Sequence, residues 1–197
     1  MMIAAVILSG GESSRMGQPK ALLPVGNKTF IERIVSSLQQ TKVEKIVVVL
    51  GHHAAEIRPK IVHLPVEVLI NQDYKQGQLS SLKVALEYLQ ALEGVDGALV
   101  HLVDHPFLNP MLADKMIERF YESKKLIVLP RYQGRRGHPV IFSRQLFREL
   151  LEAPVDQGAK VVVHAHREET LEIETDDEGV TVDIDTPEEY RQHARRE

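Results

Sequence analysis

The chain has 197 residues, 43% hydrophobic and 26% charged, a globular composition that excludes a disordered or low-complexity protein. Its formal net charge is -4, so it carries no basic footprint for nucleic acid, and the basic stretch RQHARRE at 191–197 is too short to supply one. There are no cysteines, which removes disulfides, thiolate nucleophiles and Cys-type zinc sites.

The longest apolar runs are of strand length, so no membrane span is expected. The opening MMIAAVILSGG lacks a positive n-region and runs straight into a glycine loop. It reads as a first strand rather than a signal peptide, and a cytoplasmic protein is expected.

Ile3–Leu8 reads as a buried strand, followed by a loop from Ser9 to Lys20. Phe30–Leu38 has apolar residues at helical spacing, and Lys45–Leu50 is a second buried strand. A short helix over Ala54–Lys60, a strand over Val66–Ile70 and a loop over Asn71–Leu79 follow. Ser80–Leu92 is a helix, Ala98–Val103 a fourth strand, Pro110–Tyr121 a helix and Leu126–Leu129 a fifth strand. Beyond Gly134 the elements shorten to a strand over Pro139–Phe142, a helix over Arg144–Leu151 and an apolar element over Ala159–His164. Leu171–Ile173 and Val180–Ile184 read as two strands around an acidic turn, with Glu168–Glu178 a solvated hairpin rather than a cation site. Pro187 starts a last helix, where its missing N–H costs nothing. Continuous apolar strands alternating with helices predict one three-layer α/β/α domain over 1–197, with a mostly parallel sheet.

The segment LSGGESSRMGQPKALLP, Leu8 to Pro24, lies beyond the carboxyl end of the first strand, where such folds bind ligands. Gly10 and Gly11 let backbone approach a ligand closely, and successive N–H groups there suit phosphate oxygens. Ser13 and Ser14 add hydroxyls, and Arg15 and Lys20 add fixed positive charge. The segment is neither a GxGxxG dinucleotide fingerprint nor a P-loop. Lys20 is either a neutraliser of phosphate charge or an exposed loop lysine.

Asp104 follows the fourth strand and is placed beside that loop, either as a ligand for Mg²⁺ between protein and phosphates or as a helix N-cap. Asp183 and Asp185 flank Ile184 and would share one face of a strand. Ser80 or Ser81 is the expected N-cap of its helix, whose free N–H groups suit an anion or a base edge. Arg135, Arg136 and His138 around Gly137 are either a site for an anionic acceptor or an exposed basic turn. His52–His53 and His164–x–His166 lack the spacing of a helical metal motif, so no transition-metal site is predicted.

The Leu8–Pro24 segment resembles the signature of the MobA-like nucleotidyltransferases, LAxGxSxRMGxxKxLLP. Asn71 with GQLSSL, LVDHP, RGHPVIF, DQGAK and DIDTPEEY are similar, in the same order, to motifs of the molybdenum cofactor cytidylyltransferase branch. The resemblance implies a nucleotide-diphospho-sugar transferase-like fold. It implies transfer of a nucleoside monophosphate from an NTP, most simply CTP, to the terminal phosphate of molybdopterin or its metal-loaded form, with pyrophosphate leaving. It implies Arg15 and Lys20 as catalytic residues, and Leu8, Ser9, Gly10, Gly11, Ser13, Asn71, Gly77, Ser80 and Ser81 as nucleotide-binding. It implies Asp104 and Asp185, rather than Asp183, as Mg²⁺ ligands, and Arg136 and His138 in the acceptor pocket. A client molybdoenzyme is the expected protein partner.

Two positions depart from that branch. Ser9-Gly10-Gly11 stands where Ala-Ala-Gly is usual, and a middle glycine is more like the guanylyltransferase branch, so GTP stays open. His105 stands where glutamine is usual. A sugar phosphate acceptor also stays open. A dinucleotide-dependent oxidoreductase would need the third glycine, and a carrier or insertion chaperone for the cofactor would not need Arg15, Lys20 and two aspartates.

Overall fold

Successive side chains of a strand point to opposite faces, and in the first strand both sets are apolar. Ile3, Ala5 and Ile7 enter one core, and Ala4, Val6 and Leu8 enter the other. A strand of this kind is stable only when helices cover both faces of its sheet. The computed structural model describes residues 2–193, so the last four residues of the basic 191–197 stretch lie outside the described residues.

The sheet contains β1 (Met2–Ser9), β4 (Lys45–Leu50), β5 (Glu67–Ile70), β6 (Val95–Leu102), β7 (Ile127–Tyr132), β8 (Arg135–Arg136), β9 (Val140–Ser143) and β10 (Thr170–Glu174). A small antiparallel pair, β2 (Pro24–Val25) and β3 (Lys28–Thr29), stands apart. The order across the main sheet is β10-β7-β9-β6-β1-β4-β5, with β8 paired to β7. Pairing is parallel for β1 with β4 and β6, β4 with β5, and β7 with β10. Along that path only β9 runs the other way, between β6 and β7. The chain leaves β1 on one side towards β4 and returns on the other as β6. That reversal opens a crevice beyond the carboxyl ends of β1 and β6, the usual ligand position in open α/β sheets.

Helices α1 (Phe30–Leu38) and α4 (Pro110–Ser123) cover one face, and α3 (Gln78–Gln90) and α5 (Phe147–Glu152) the other. The short helices α2 (Ala54–Ile57), α6 (Lys160–Ala165) and α7 (Pro187–His193) complete the set. Each fully buried large apolar side chain contributes about 1.5–3 kcal/mol. A third cluster of Leu23, Val25, Phe30 and Ile184 fastens the β2–β3 pair to the C-terminal segment. Among the described residues no helix is long and apolar enough to cross a membrane.

Four expectations are corrected. Val180–Ile184 is not a strand: Glu178–Thr181 is a 3-10 turn, closed by Asp177, whose carboxylate accepts from the Gly179 N–H at 2.9 Å. Asp183 and Asp185 therefore do not share a strand face. The acidic 168–178 stretch is not a hairpin either, because β10 pairs in parallel with β7. Finally, α3 is capped by Gly77 at φ +104°, not by a serine. The first turn of the predicted Arg144–Leu151 helix is 3-10, over Arg144–Leu146.

Candidate active site

Beyond β1 the loop turns sharply. A Cβ on Gly10 would lie 2.6 Å from Ser81 Oγ, and one on Gly51 would lie 2.4 Å from the Gly10 carbonyl oxygen. The missing side chain of Gly10 thus makes room for Ser81, and that of Gly51, just past β4, makes room for the Gly10 backbone, whereas Gly11 faces open space. Ser13 adopts φ +50°, its carbonyl accepts from the Met16 and Gly17 N–H groups, and its Oγ accepts from the Lys20 N–H at 3.3 Å. The loop is thereby folded back, and Lys20 is carried across to the end of β6.

Asp104 sits in the turn after β6. It does not cap a helix, because Asn109 accepts from the Met111 and Leu112 N–H groups at the start of α4. Asp185 arrives from the far end of the chain. Thr186 Oγ1 accepts from the Glu189 N–H, and the Glu189 carboxylate accepts from the Asp185 and Thr186 N–H groups at 2.8 Å each. These bonds occupy the start of α7 and leave the Asp185 carboxylate to face the site.

Lys20 Nζ lies between the two carboxylates. It donates to Asp104 Oδ2 at 3.3 Å and to Asp185 Oδ1, while Arg15 Nη2 donates to Asp185 Oδ2 at 2.7 Å. The hydrogen bond from Lys20 does most to hold the Asp185 carboxyl below its usual range; partial burial opposes it, and the charges of Lys20 and Arg15 add to it. Asp183 is exposed and takes no part in these pairs. Asp104 Oδ1 is buried without a hydrogen-bond partner. Two carboxylates, one with an orphaned buried oxygen, fit a hard divalent cation that takes its remaining ligands from phosphate and water. Among the described residues no third His, Cys, Asp or Glu joins them.

The glycine loop, Lys20 and Asp104 wall a cavity of about 200 Å³. Leu8, Ser9, Gly10, Gly11, Ser13, Gly77 and Ser81, among the residues that the resemblance implies for the nucleotide, line it. Asn71 and Ser80 are buried behind it: Asn71 Nδ2 donates to Ser80 Oγ at 2.8 Å and Ser81 Oγ at 3.0 Å, so they brace the wall. Arg15 is largely exposed at the rim. His53, which the sequence places in a loop near the site, and Gln78 at the start of α3 also line the cavity, as does Tyr74, which the sequence analysis does not single out. An aromatic residue inside a predicted loop was the available signal for Tyr74, whose hydroxyl meets His52 Nδ1 at 2.9 Å.

A larger groove of about 1110 Å³ shares Leu8, Gly77, Gln78 and Leu102 with this cavity. Arg136 and His138 both line it, as do Lys160 and His164 over an apolar floor that includes Leu82 and Phe142. The Arg136 guanidinium already holds Glu172, at 2.8 and 2.5 Å. Burial, and next the neighbouring His105, push the His138 imidazole down to about 4, so it is neutral at pH 7.

A phosphate-suited loop at the switch point of a doubly wound sheet, faced by a lysine and two carboxylates, marks an α/β nucleotidyltransferase with the nucleotide-diphospho-sugar transferase fold. Residues 5–170 match the MobA-like NTP transferase domain, and the chain belongs to that family. It is 25% identical to the molybdenum cofactor cytidylyltransferase of Escherichia coli, over 95% of this chain and 93% of that one. A probable molybdenum cofactor guanylyltransferase of Pyrococcus furiosus is 30% identical over 80% and 76%. The nicotine blue oxidoreductase of Paenarthrobacter nicotinovorans is 28% identical over 96% and 95%. The crystal structure of Mycobacterium tuberculosis Rv0371c in complex with manganese superposes with a TM-score of 0.82 at 27% identity, covering 98% of each chain.

Proposed function

We propose that residues 1–197 act as one cytoplasmic nucleotidyltransferase domain that moves a nucleoside monophosphate from an NTP, CTP by preference, to the terminal phosphate of molybdopterin or the molybdenum cofactor. The observation that carries the reading is Lys20 held between Asp104 and Asp185 at the foot of the glycine loop. An acceptor phosphate oxygen attacks the α-phosphorus, the bond to the β-phosphate oxygen breaks, and pyrophosphate leaves. This chemistry asks for in-line positioning and charge neutralisation, with no covalent intermediate on the protein.

Gly10, Gly11 and Ser13 present N–H and hydroxyl groups to the phosphates, with Leu8, Ser9, Gly77 and Ser81 shaping the pocket and Asn71 and Ser80 bracing it. Arg15 and Lys20 swing from their carboxylate partners to the β- and γ-phosphates and stabilise the leaving group. Asp104 and Asp185 hold the divalent cation, Mg²⁺ in the cell. Bound there, it would orient the nucleophile and neutralise the α-phosphate. Arg136 and His138 flank the acceptor in the adjoining groove, and a client molybdoenzyme receives the product.

CTP is favoured by the motifs beyond the loop and by the E. coli relative. Gly10 and the Pyrococcus relative support GTP as the second reading. The test is pyrophosphate release by the purified protein with Mg²⁺ and fresh molybdenum cofactor, offering CTP, GTP, ATP and UTP separately. Release with CTP alone is expected, release with GTP alone selects the second reading, and release with none overturns both.

A further inference from the structure

The strand β6 reads apolar throughout its buried half except for one imidazole. His101 is 2% exposed, beneath the active site and outside the set used above. Burying a polar ring without a partner costs free energy, so its placement needs a reason. His101 Nε2 lies 2.7 Å from the carbonyl oxygen of His105. A carbonyl only accepts, so Nε2 carries the proton and donates. Its acceptor is the residue directly after Asp104.

The turn after β6 closes with the His105 N–H donating to the Leu102 carbonyl at 3.1 Å, and Asp104 occupies its third place. From one side the Ile184 N–H bonds the Asp104 carbonyl at 2.9 Å. From the other side His101 bonds the next carbonyl. The peptide group that follows Asp104 and the next one along, after His105, are therefore held, and the Asp104 Oδ1 is left free within the buried wall. The His105 and His138 rings, with centroids 6.2 and 6.4 Å from that of His101, fill the space around it.

We infer that His101 is a positioning residue that sets the Asp104 carboxylate for a divalent cation. The inference rests on the role proposed for Asp104. Groups that orient a ligand from behind change metal affinity by about 10–100-fold when removed.

The test uses Mn²⁺ as probe, with free ion followed by electron paramagnetic resonance in the presence of CTP, beside turnover at saturating Mn²⁺. His101→Leu suits an apolar strand and removes the donor; His101→Gln keeps an N–H at reach of the same carbonyl. Leu is expected to weaken Mn²⁺ binding about tenfold or more and to lower kcat, and Gln to restore both to within about threefold. Wild-type Mn²⁺ affinity and turnover in His101→Leu, with both lost in Asp104→Ala, overturns the inference and leaves the site standing. Both kept in Asp104→Ala overturns the site reading and the inference with it. If His101→Leu does not fold, His101→Asn takes its place, since its shorter amide falls short of the carbonyl. Equal Mn²⁺ affinity in the Asn and Gln variants then overturns the inference, and weaker binding by Asn alone upholds it.

Discussion

The main-chain amide of Ile184 donates to the carbonyl oxygen of Asp104 at 2.9 Å, while the Ile184 side chain is fully buried against Leu23, Val25 and Phe30. One residue thus ties the approach of the two carboxylates to a small apolar cluster. Ile184→Ala is expected to cost about 2–5 kcal/mol of stability and to lower turnover by letting Asp185 drift. Leu86→Ala, equally buried but remote from the site, should cost a similar stability with little change in turnover. Urea unfolding and pyrophosphate release on the two variants separate the effects.

Removing the charges at the centre should stop the reaction without unfolding the chain. Asp104→Ala is expected to abolish pyrophosphate release, and Lys20→Ala to lower kcat about 100-fold or more, by analogy with losing one donor to a developing oxyanion. Circular dichroism should be unchanged in both. Full activity in either variant would remove its assigned role.

Asp185 ties stability to acid pH. Its folded pKa is depressed, so its contribution is present above the unfolded carboxylate value of about 3.9 and is lost as pH falls through the lower folded value. The stability difference between wild type and Asp185→Asn should be constant from pH 5 upwards by this reasoning and should disappear in stronger acid, measured by urea unfolding at each pH.

His138 acts in the opposite part of the scale. Burial keeps it neutral down to about 4, against an ordinary histidine value of about 6.5. Between those values the unfolded chain binds more protons, so native stability falls as pH drops through that window. His101, buried and pushed well below its usual value, adds to the slope, while Asp104 opposes it at His138. His138→Gln should flatten the stability profile between about pH 4 and 6.5. An unchanged slope would show that His138 titrates normally.

Gly10 and Ser81 should behave as one unit. A methyl on Gly10 meets Ser81 Oγ at 2.6 Å, so Gly10→Ala alone is expected to destabilise by about 1–3 kcal/mol and to raise the KM for NTP. In Gly10→Ala/Ser81→Ala much of that loss should return, a coupling read directly in a double-mutant cycle.

The alternating apolar strands and the helical spacing of Phe30–Leu38 reveal the layered fold, because both periodicities are local. The glycine loop, Lys20 and Asp104 were legible for the same reason: each lies just past a strand whose end was easy to place. The last 25 or so residues were less legible. Val180–Ile184 has strand-like residues, yet its burial comes from contacts with Phe30 and with the Asp104 turn, which no local pattern encodes. The capping of α3 also escaped, since Ser80 spends its hydroxyl on the Gly77 and Asp73 carbonyls rather than on the helix N–H groups. Gly10 was expected to serve a ligand, and in the structure it first serves Ser81.

The lysine that faces Asp185 is separated from it by 165 positions in the chain. Residues 2–180 hold every strand of the sheet and the whole Gly10–Gly11 loop, but not Asp185. The ion-pair centre around Lys20 is therefore complete only where two distant stretches of sequence meet, and no fragment carrying one stretch alone can hold it.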